Sequence, residues 1–327
     1  MARPKPIETA APAMPRLALV DALRGVAILA MVAYHFAWDL SYYRLIATDV
    51  TTHPAWVLLQ RSILSSFLLL VGVSLVLGHG KGVRWPRFWR RQAVILAAAL
   101  AVTAGTYWMF PEYFVFFGIL HAIALFSLLA LPFLRLNPWL VLAATALFLV
   151  PPLFLSAPLF SAKPLAWIGF WTIVPETTDI VPVFPWFGVV LLGLATTRLA
   201  LASPLETRLA TWQVGGPLSK GLVLCGRWSL FIYLLHQPIL LGAITLASQW
   251  QSPVLQPEVL SRTESFVRSC KSSCATNGGA AAYCEAYCAC ALGQVEDSNL
   301  WDLIETPGAE QDEAVGSITR LCAAMAE

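Results

Sequence analysis

The chain has 327 residues, of which 58% are hydrophobic and only 12% are charged, and its mean hydropathy is +0.68. An ordinary soluble domain carries about 25% charged residues, so this composition excludes a water-soluble protein of this size. The charge is unevenly placed, because residues 1–250 hold 17 Lys and Arg against 8 Asp and Glu, whereas residues 251–327 hold 4 against 11. This imbalance indicates two domains in two compartments, and the scattered basic residues lack the continuous basic face that nucleic acid requires.

Seven runs of mostly apolar residues approach the length of about 20 residues that a helix needs to cross a bilayer. They lie near 17–37, 57–77, 92–110, 113–131, 139–157, 183–199 and 228–247. The stretch 160–175 is shorter and interrupted by prolines, so we expect it to be re-entrant or interfacial. Asp21 and Arg24 interrupt the first run, which predicts a retained helix rather than a signal peptide. Residues 1–15 are rich in Pro and Ala and are predicted to be disordered.

Lys and Arg flank these runs asymmetrically, and cytoplasmic loops carry the excess of such residues. With the amino terminus inside, the inner segments hold thirteen basic residues and the outer segments hold three, Arg44, Arg61 and Lys163. An odd number of spans then places the tail outside. The sequence therefore predicts an all-α, multi-pass membrane bundle of about seven spans over 16–250. A periplasmic or extracellular cysteine-rich helical tail over 251–327 is expected to follow.

The tail contains six of the seven cysteines, spaced Cys-x3-Cys-x9-Cys-x3-Cys-x-Cys and followed by a distant sixth. They are Cys270, Cys274, Cys284, Cys288, Cys290 and Cys322. Cysteines four apart share a helix face, and TNGG at 276–279 is typical of a turn, so a two-helix hairpin is predicted. An antiparallel hairpin pairs Cys270 with Cys288 and Cys274 with Cys284, which leaves Cys290 for Cys322. An oxidising exterior favours disulfides, and zinc coordination by the thiolates is the alternative; we expect no metal.

The first run, DALRGVAILAMVAYHFAWD, carries four ionisable residues, with Asp21 and Arg24 near its inner end and His35 and Asp39 near its outer end. Ionisable groups inside a span cost about 2.5 kcal/mol or more, so they usually mark a site or pair with one another. Arg24 and His35 are separated by about three helical turns and project from the same face at different depths. A structural Asp21–Arg24 ion pair and a His35 at headgroup level are the alternatives.

Two further histidines, His121 and His236, lie well inside their own apolar runs. Three intramembrane histidines in one small bundle favour a shared polar cavity, although a buried histidine can simply satisfy a backbone carbonyl. His53 and His79 fall in predicted loops, and we expect both to be surface residues.

The loop GHGKGVRWPRFWRR at 78–91 holds five basic residues and no acid. Cytoplasmic placement beside anionic headgroups explains this charge without any ligand. The functional alternative is a receptor for a polyphosphate donor such as coenzyme A, which arginine recognises with two parallel hydrogen bonds. On that hypothesis, Arg87, Arg90 and Arg91 bind the donor. The chain has no Walker loop and no zinc-protease motif, so neither chemistry is supported.

The chain resembles bacterial members of the heparan-alpha-glucosaminide N-acetyltransferase catalytic-domain family in DALRGVAILAMVAYHFAWDL, SSFLLLVGVSLVLGHG, FGILHAIAL, PWFGVVLLGLA and GRWSLFIYLLHQPIL. The spacing of Arg24 and His35, with the later YLLHQP, is also similar to membrane O-acetyltransferases that decorate surface polysaccharides. The resemblance covers roughly residues 16–247. It implies acetyl transfer from cytosolic acetyl-CoA, as co-substrate, to a saccharide or another amine or hydroxyl acceptor outside. It also assigns Arg24, His35, His121 and His236 to the site.

An acceptor must lose a proton as it attacks the thioester, and a histidine near neutrality suits that task. We expect His35 to be the general base, oriented by Asp39 one turn away, with Arg24 helping to hold the donor. His121 and His236 are alternative bases, and His35 can instead carry the acetyl group as a covalent intermediate. The competing function is a proton-coupled secondary transporter of a small solute, because intramembrane Asp, Arg and His also form proton relays.

Overall fold

The computed structural model describes residues 17–43, 45–46, 48–204, 215–250, 262–276, 279–298, 300–301 and 309–326. Within these ranges the regular elements are helical, and no β-strand is present apart from an isolated bridge between Phe117 and Ile180. The chain separates into two compact units, Met1–Gln249 and Trp250–Glu327. The segment 1–15, predicted to be disordered, lies outside the described residues.

Nine α-helices are described between Ala18 and Trp250, and several begin with proline in the first turn, where the missing N–H costs no hydrogen bond. They are α1 (Ala18–Tyr42), α2 (Pro54–His79), α3 (Trp85–Met109), α4 (Ile119–Leu129), α5 (Pro138–Leu149), α6 (Lys163–Ala166), α7 (Val183–Leu201), α8 (Pro217–Arg227) and α9 (Ser229–Trp250).

Five of the described helices are long and apolar enough to cross a membrane, namely α1, α2, α3, α7 and the Ser229–Ala247 part of α9. They correspond to the first three and the last two predicted runs. The predicted count of seven full-length spans is not confirmed, because the runs near 113–131 and 139–157 contain α4 and α5, which have only 11 and 12 residues. Prolines explain where these helices stop, since 3-10 turns begin at Pro132 and Pro151 directly after them.

The segment between α5 and α7 contains no helix of spanning length. It holds 3-10 turns at Pro151–Leu153 and Pro158–Ser161 and the single-turn α6. Large apolar side chains lie on its surface, including Phe154 and Ile173. The segment is therefore irregular, which agrees with the expectation that 160–175 does not form a transmembrane helix.

Close helix packing depends on two glycine pairs. Gly25 of α1 lies against the backbone of α8, and Gly226 of α8 lies against the backbone of α1. In the same way, Gly72 of α2 and Gly193 of α7 each face the backbone of the other helix. A Cβ at any of these positions would overlap backbone atoms. Small residues of this kind let membrane helices approach closely.

The largest buried apolar cluster lies among α2, α4, α5 and α7. Its fully buried members include Leu68, Phe126, Val141, Phe187 and Leu191. Dense packing of this kind fixes the four helices relative to one another. A separate buried cluster includes Ile28, Met31 and Tyr34 of α1 and packs against Ile232 and Tyr233 of α9.

The second unit contains three described helices, α10 (Arg262–Thr276), α11 (Ala281–Asp297) and α12 (Ala309–Ala326). Three disulfides join them, with Cα–Cα distances of 5.6 to 5.8 Å, and these are the pairs predicted from the spacing: Cys270–Cys288, Cys274–Cys284 and Cys290–Cys322. A cysteine in a disulfide has no thiolate to offer to zinc, so the alternative zinc site is not supported. Lys271 of α10 and Glu285 of α11 also pair at 3.3 Å.

Candidate active site

A cavity of about 640 Å³ lies within the first unit between α1, α2, α3, α4 and the α8–α9 junction. Among the described residues, its charged lining consists of six arginines and one carboxylate, that of Asp21, together with His79. The arginines are Arg24, Arg84, Arg87, Arg90, Arg91 and Arg227. Guanidinium groups recognise phosphate through paired N–H donors, so this cavity suits a ligand with several phosphates.

Four of these arginines come from the start of α3. Arg84 directly precedes the helix, and Arg87, Arg90 and Arg91 follow in its first two turns. Positive side chains at a helix N-terminus are unfavourable with the helix dipole, and the first turn of α3 contains no acid that would offset them. The helix end and its arginines instead favour an anion.

The other two arginines share Asp21. Arg24 donates to Oδ1 of Asp21 at 2.9 Å and also to the hydroxyl of Ser74 on α2. Nε of Arg227 lies 3.5 Å from Oδ2 of the same carboxylate. The Asp21–Arg24 ion pair considered as the structural alternative is therefore present, and both of its members also line the cavity.

His79 also lines the cavity, so the expectation that it is a surface residue was wrong. Only 6% of the residue is exposed. The loop after α2 turns back at Gly82, which has a φ of 141°, and brings the backbone N–H of Arg84 within 3.2 Å of Nδ1 of His79. Because Nδ1 accepts this bond, a neutral His79 carries its proton on Nε2 and can donate from that atom.

A histidine pair lies further along α1. The ring centroids of His35 and His236 are 4.9 Å apart, and His236 is only 9% exposed. Nδ1 of His236 lies 2.7 Å from the carbonyl oxygen of Tyr233. A carbonyl can only accept, so Nδ1 donates and the lone pair of the neutral ring is on Nε2. This Nε2 is buried and has no hydrogen-bond partner among the described residues, which is the arrangement that a base requires.

Asp39 does not orient His35 in the way the spacing suggested. Its carboxylate is fully buried and accepts a hydrogen bond from Nε2 of Gln237 at 2.6 Å. No hydrogen bond joins Asp39 to His35 within the part of the chain that the structure describes. The reason is that α9 places Gln237, the neighbour of His236, directly against Asp39.

His121 lies apart from this pair and bonds to α3 instead. The hydroxyl of Thr103 donates its single hydrogen to the carbonyl of Val115 at 2.7 Å, so it accepts from Nε2 of His121, 3.3 Å away. The ring also packs near Phe117. Among the described contacts, His121 thus ties α4 to α3 and does not reach the other two histidines.

Tyr233 connects the cavity to the histidine pair, because it lines the cavity and its carbonyl holds His236. Along α1 the cavity-lining positions run from Leu17 to Ile28. His35 follows Ile28 by seven residues, or about 10 Å of helix rise. The basic cavity and the histidine pair therefore lie one after the other along α1.

The family model of the catalytic region of heparan-alpha-glucosaminide N-acetyltransferase matches residues 16–238, which is more than half of the chain. The chain belongs to this family. All cavity-lining residues and both histidines of the pair fall inside the matched heparan-alpha-glucosaminide N-acetyltransferase region, whereas the cysteine-rich unit lies beyond it. Membership supports an acetyltransferase-type enzyme and confirms the resemblance found in the sequence. No curated protein and no solved structure matches the chain.

Several residues of the site were missed by sequence reasoning. Arg227 had been attributed only to membrane orientation, Arg84 had been counted in the basic loop but not named as a donor-binding residue, and His79 had been placed on the surface. Ser74 gave no sequence signal, since isolated hydroxyl residues are common in membrane helices. Tyr233 stands one helical turn before His236, and that spacing was the one available indication of its position.

Proposed function

We propose that the chain is an integral membrane acyltransferase that moves an acetyl group from acetyl-CoA to a saccharide or another amine or hydroxyl acceptor. The observation that carries this proposal is the cavity, where the described lining has six arginines and one carboxylate, in a member of an acetyltransferase family. Coenzyme A presents a pyrophosphate and a 3′-phosphate on one end and a long, weakly polar arm on the other. Family membership favours this function over the secondary transporter.

Arg87, Arg90 and Arg91 bind the phosphates at the amino end of α3 in this proposal. Arg24, held by Asp21, completes the basic wall from the side of α1. The arm of the donor then lies along the apolar lining and reaches Tyr233, one turn from the histidine pair. The donor enters from the end of the bundle that carries the basic loop 78–91.

The His35–His236 pair supplies the base, with Nε2 of His236 as the accepting atom. The acceptor N–H or O–H gives its proton to this nitrogen while the acceptor atom attacks the thioester carbonyl. The carbon–sulfur bond breaks, coenzyme A leaves as a thiolate, and the thiolate takes up a proton. A positioned base of this kind contributes roughly 100- to 10,000-fold to the rate.

The orientation of the proposed enzyme in the membrane is inferred from the distribution of its basic residues. A cytoplasmic amino terminus puts the loop 78–91 and the arginines of α3 in the compartment that contains acetyl-CoA. The same orientation puts the second unit outside, where its three disulfides are chemically stable. Transfer then proceeds across the membrane toward an external acceptor.

Calorimetric titration of purified protein with coenzyme A tests the donor site. Changing Arg87, Arg90 and Arg91 together to Gln should weaken binding about 100-fold or more, because charge-assisted hydrogen bonds to phosphate are lost. Lys81→Gln is the matched control, since Lys81 belongs to the same loop but does not line the cavity. Unchanged affinity in the triple variant, or an equal loss in Lys81→Gln, would contradict the proposal.

A further inference from the structure

The chain that precedes α7 runs parallel to the chain that leads into α4, with an isolated bridge between Phe117 and Ile180. The backbone N–H groups of Thr178 and Val181 donate to the carbonyls of Tyr113 and Phe117 at 2.8 and 3.0 Å. These hydrogen bonds hold two segments together that are about sixty residues apart in sequence. Asp179 lies between the two donors, Thr178 and Val181, in the sequence.

Asp179 forms the N-terminal cap of α4. Its Oδ2 accepts a hydrogen bond from the backbone N–H of Ile119, the first residue of the helix, at 3.1 Å. Gly118 precedes the helix and has no side chain that could form a cap, and a Cβ at this position would overlap the carboxylate of Asp179. A carboxylate here satisfies a free backbone donor and interacts favourably with the helix dipole.

The first turn of α4 is also part of the cavity wall. Ile119, Leu120 and Ile123 line the cavity and pack in one apolar cluster with Tyr233 of α9. Asp179 therefore holds the turn of α4 that packs against Tyr233, between the arginines and the histidine pair.

We propose that Asp179 is a positioning residue for acyl transfer. It fixes the first turn of α4 against Tyr233 and so shapes the passage through which the donor arm reaches His236. Among the described residues no hydrogen bond joins Asp179 to the arginines or to the histidine pair, so it acts through α4. This inference rests on the proposed function, because the passage matters only if the cavity holds the donor.

Steady-state acetyl transfer from acetyl-CoA to D-glucosamine tests the kinetic consequence. Asp179→Ala should lower kcat about 10- to 100-fold through misplacement of the wall, while the affinity for coenzyme A stays within about twofold because the arginines are intact. Asp179→Asn retains an oxygen acceptor and should restore most of kcat. Wild-type kcat in Asp179→Ala, a parallel loss of coenzyme A affinity, or equal damage in Asp179→Asn would overturn the inference.

Amide hydrogen exchange of the intact protein tests the positioning without any need for catalysis. Exchange at the first turn of α4 should be about five- to tenfold faster in Asp179→Ala and near wild type in Asp179→Asn. Glu176→Ala is the control, since Glu176 is an exposed carboxylate of the same segment. Unchanged exchange in Asp179→Ala would overturn the inference. A wild-type protein without transferase activity would instead overturn the proposed function, and the exchange result would still decide the role of Asp179.

Discussion

Hydrogen bonds distinguish the roles of the three intramembrane histidines. His236 gives its Nδ1 proton to a backbone carbonyl and keeps a buried lone pair on Nε2, beside the ring of His35. His121 instead donates from Nε2 to Thr103 and holds two helices together. Histidines in three similar sequence contexts therefore have two different hydrogen-bonding arrangements.

Alanine substitution should distinguish the two arrangements by their effect on acetyl transfer. His236→Ala should reduce acetyl transfer to D-glucosamine by roughly 100- to 10,000-fold, because the base is lost, and His35→Ala should also reduce it strongly. His121→Ala removes one hydrogen bond, so transfer should stay within about tenfold of wild type. The measurement compares initial rates in variants with normal coenzyme A affinity. Loss of activity in His121→Ala alone, with the other two active, would move the base to His121.

The carboxyl group of Asp179 leads us to expect that the stability of the fold depends on pH. Burial raises the pKa of this carboxyl group from 3.8 to about 6, although the N–H of Ile119 opposes the rise. The folded chain thus binds the proton more tightly than the unfolded chain, so protonation of Asp179 adds stability at low pH, and this added stability is lost as pH rises from about 4 to 6. Thermal unfolding in detergent should show a larger drop in midpoint from pH 4 to pH 6 for wild type than for Asp179→Asn. Identical drops would assign the dependence to other groups.

Among the helices, close packing of α1 against α8 positions the basic side of the cavity. Gly25 and Gly226 allow the two backbones to touch, and Asp21, Arg24 and Arg227 meet at this contact. Any side chain at the glycines would force the helices apart and separate the three charges. The crossing therefore links helix packing to the arrangement of charge around the cavity.

Gly226→Ala tests this link against a control on the same helix. The added Cβ would overlap the backbone of α1, so we expect destabilisation of about 1 to 3 kcal/mol and weaker coenzyme A binding. Gly221→Ala places its Cβ in open space on α8 and should be tolerated. Thermal midpoints and calorimetric titrations measure both effects. Equal behaviour of the two variants would show that the crossing does not govern the cavity.

The helices of the second unit depend on their disulfides. Removing one bridge with Cys274→Ser and Cys284→Ser should cost about 2 to 4 kcal/mol of stability in this unit. Cys225→Ser is the control, since Cys225 is a free cysteine of the first unit. Peptide mapping without reduction should recover the three pairs from wild type. Six free thiols, or one bound zinc ion per chain, would contradict the pairing.

The elements also show which features were predictable from the sequence. The five long spans and the cysteine pairs follow from local patterns, namely apolar length and the spacing of residues on a helix face. The short α4 was not predictable, because the apolar residues 113–117 pair with 177–181 instead of continuing the helix. Contacts between distant helices, such as His35 with His236 and Asp39 with Gln237, leave no local pattern either.

Across the first unit as a whole, the basic, apolar and histidine-containing parts of the proposed site follow one another along the bundle. The arginines lie at the end that holds the start of α1 and α3, the apolar wall of α4 and Tyr233 follows, and the histidine pair comes last. A donor with charged phosphates at one end and a reactive thioester at the other matches this order. The account therefore depends on how coenzyme A lies in the cavity.

A structure of the wild-type protein in complex with coenzyme A is the most direct test. The account predicts phosphates within hydrogen-bond distance of Arg87, Arg90 and Arg91, and a thiol sulfur directed past Tyr233 toward Nε2 of His236. Coenzyme A bound outside the cavity, or bound with its sulfur among the arginines, would contradict it.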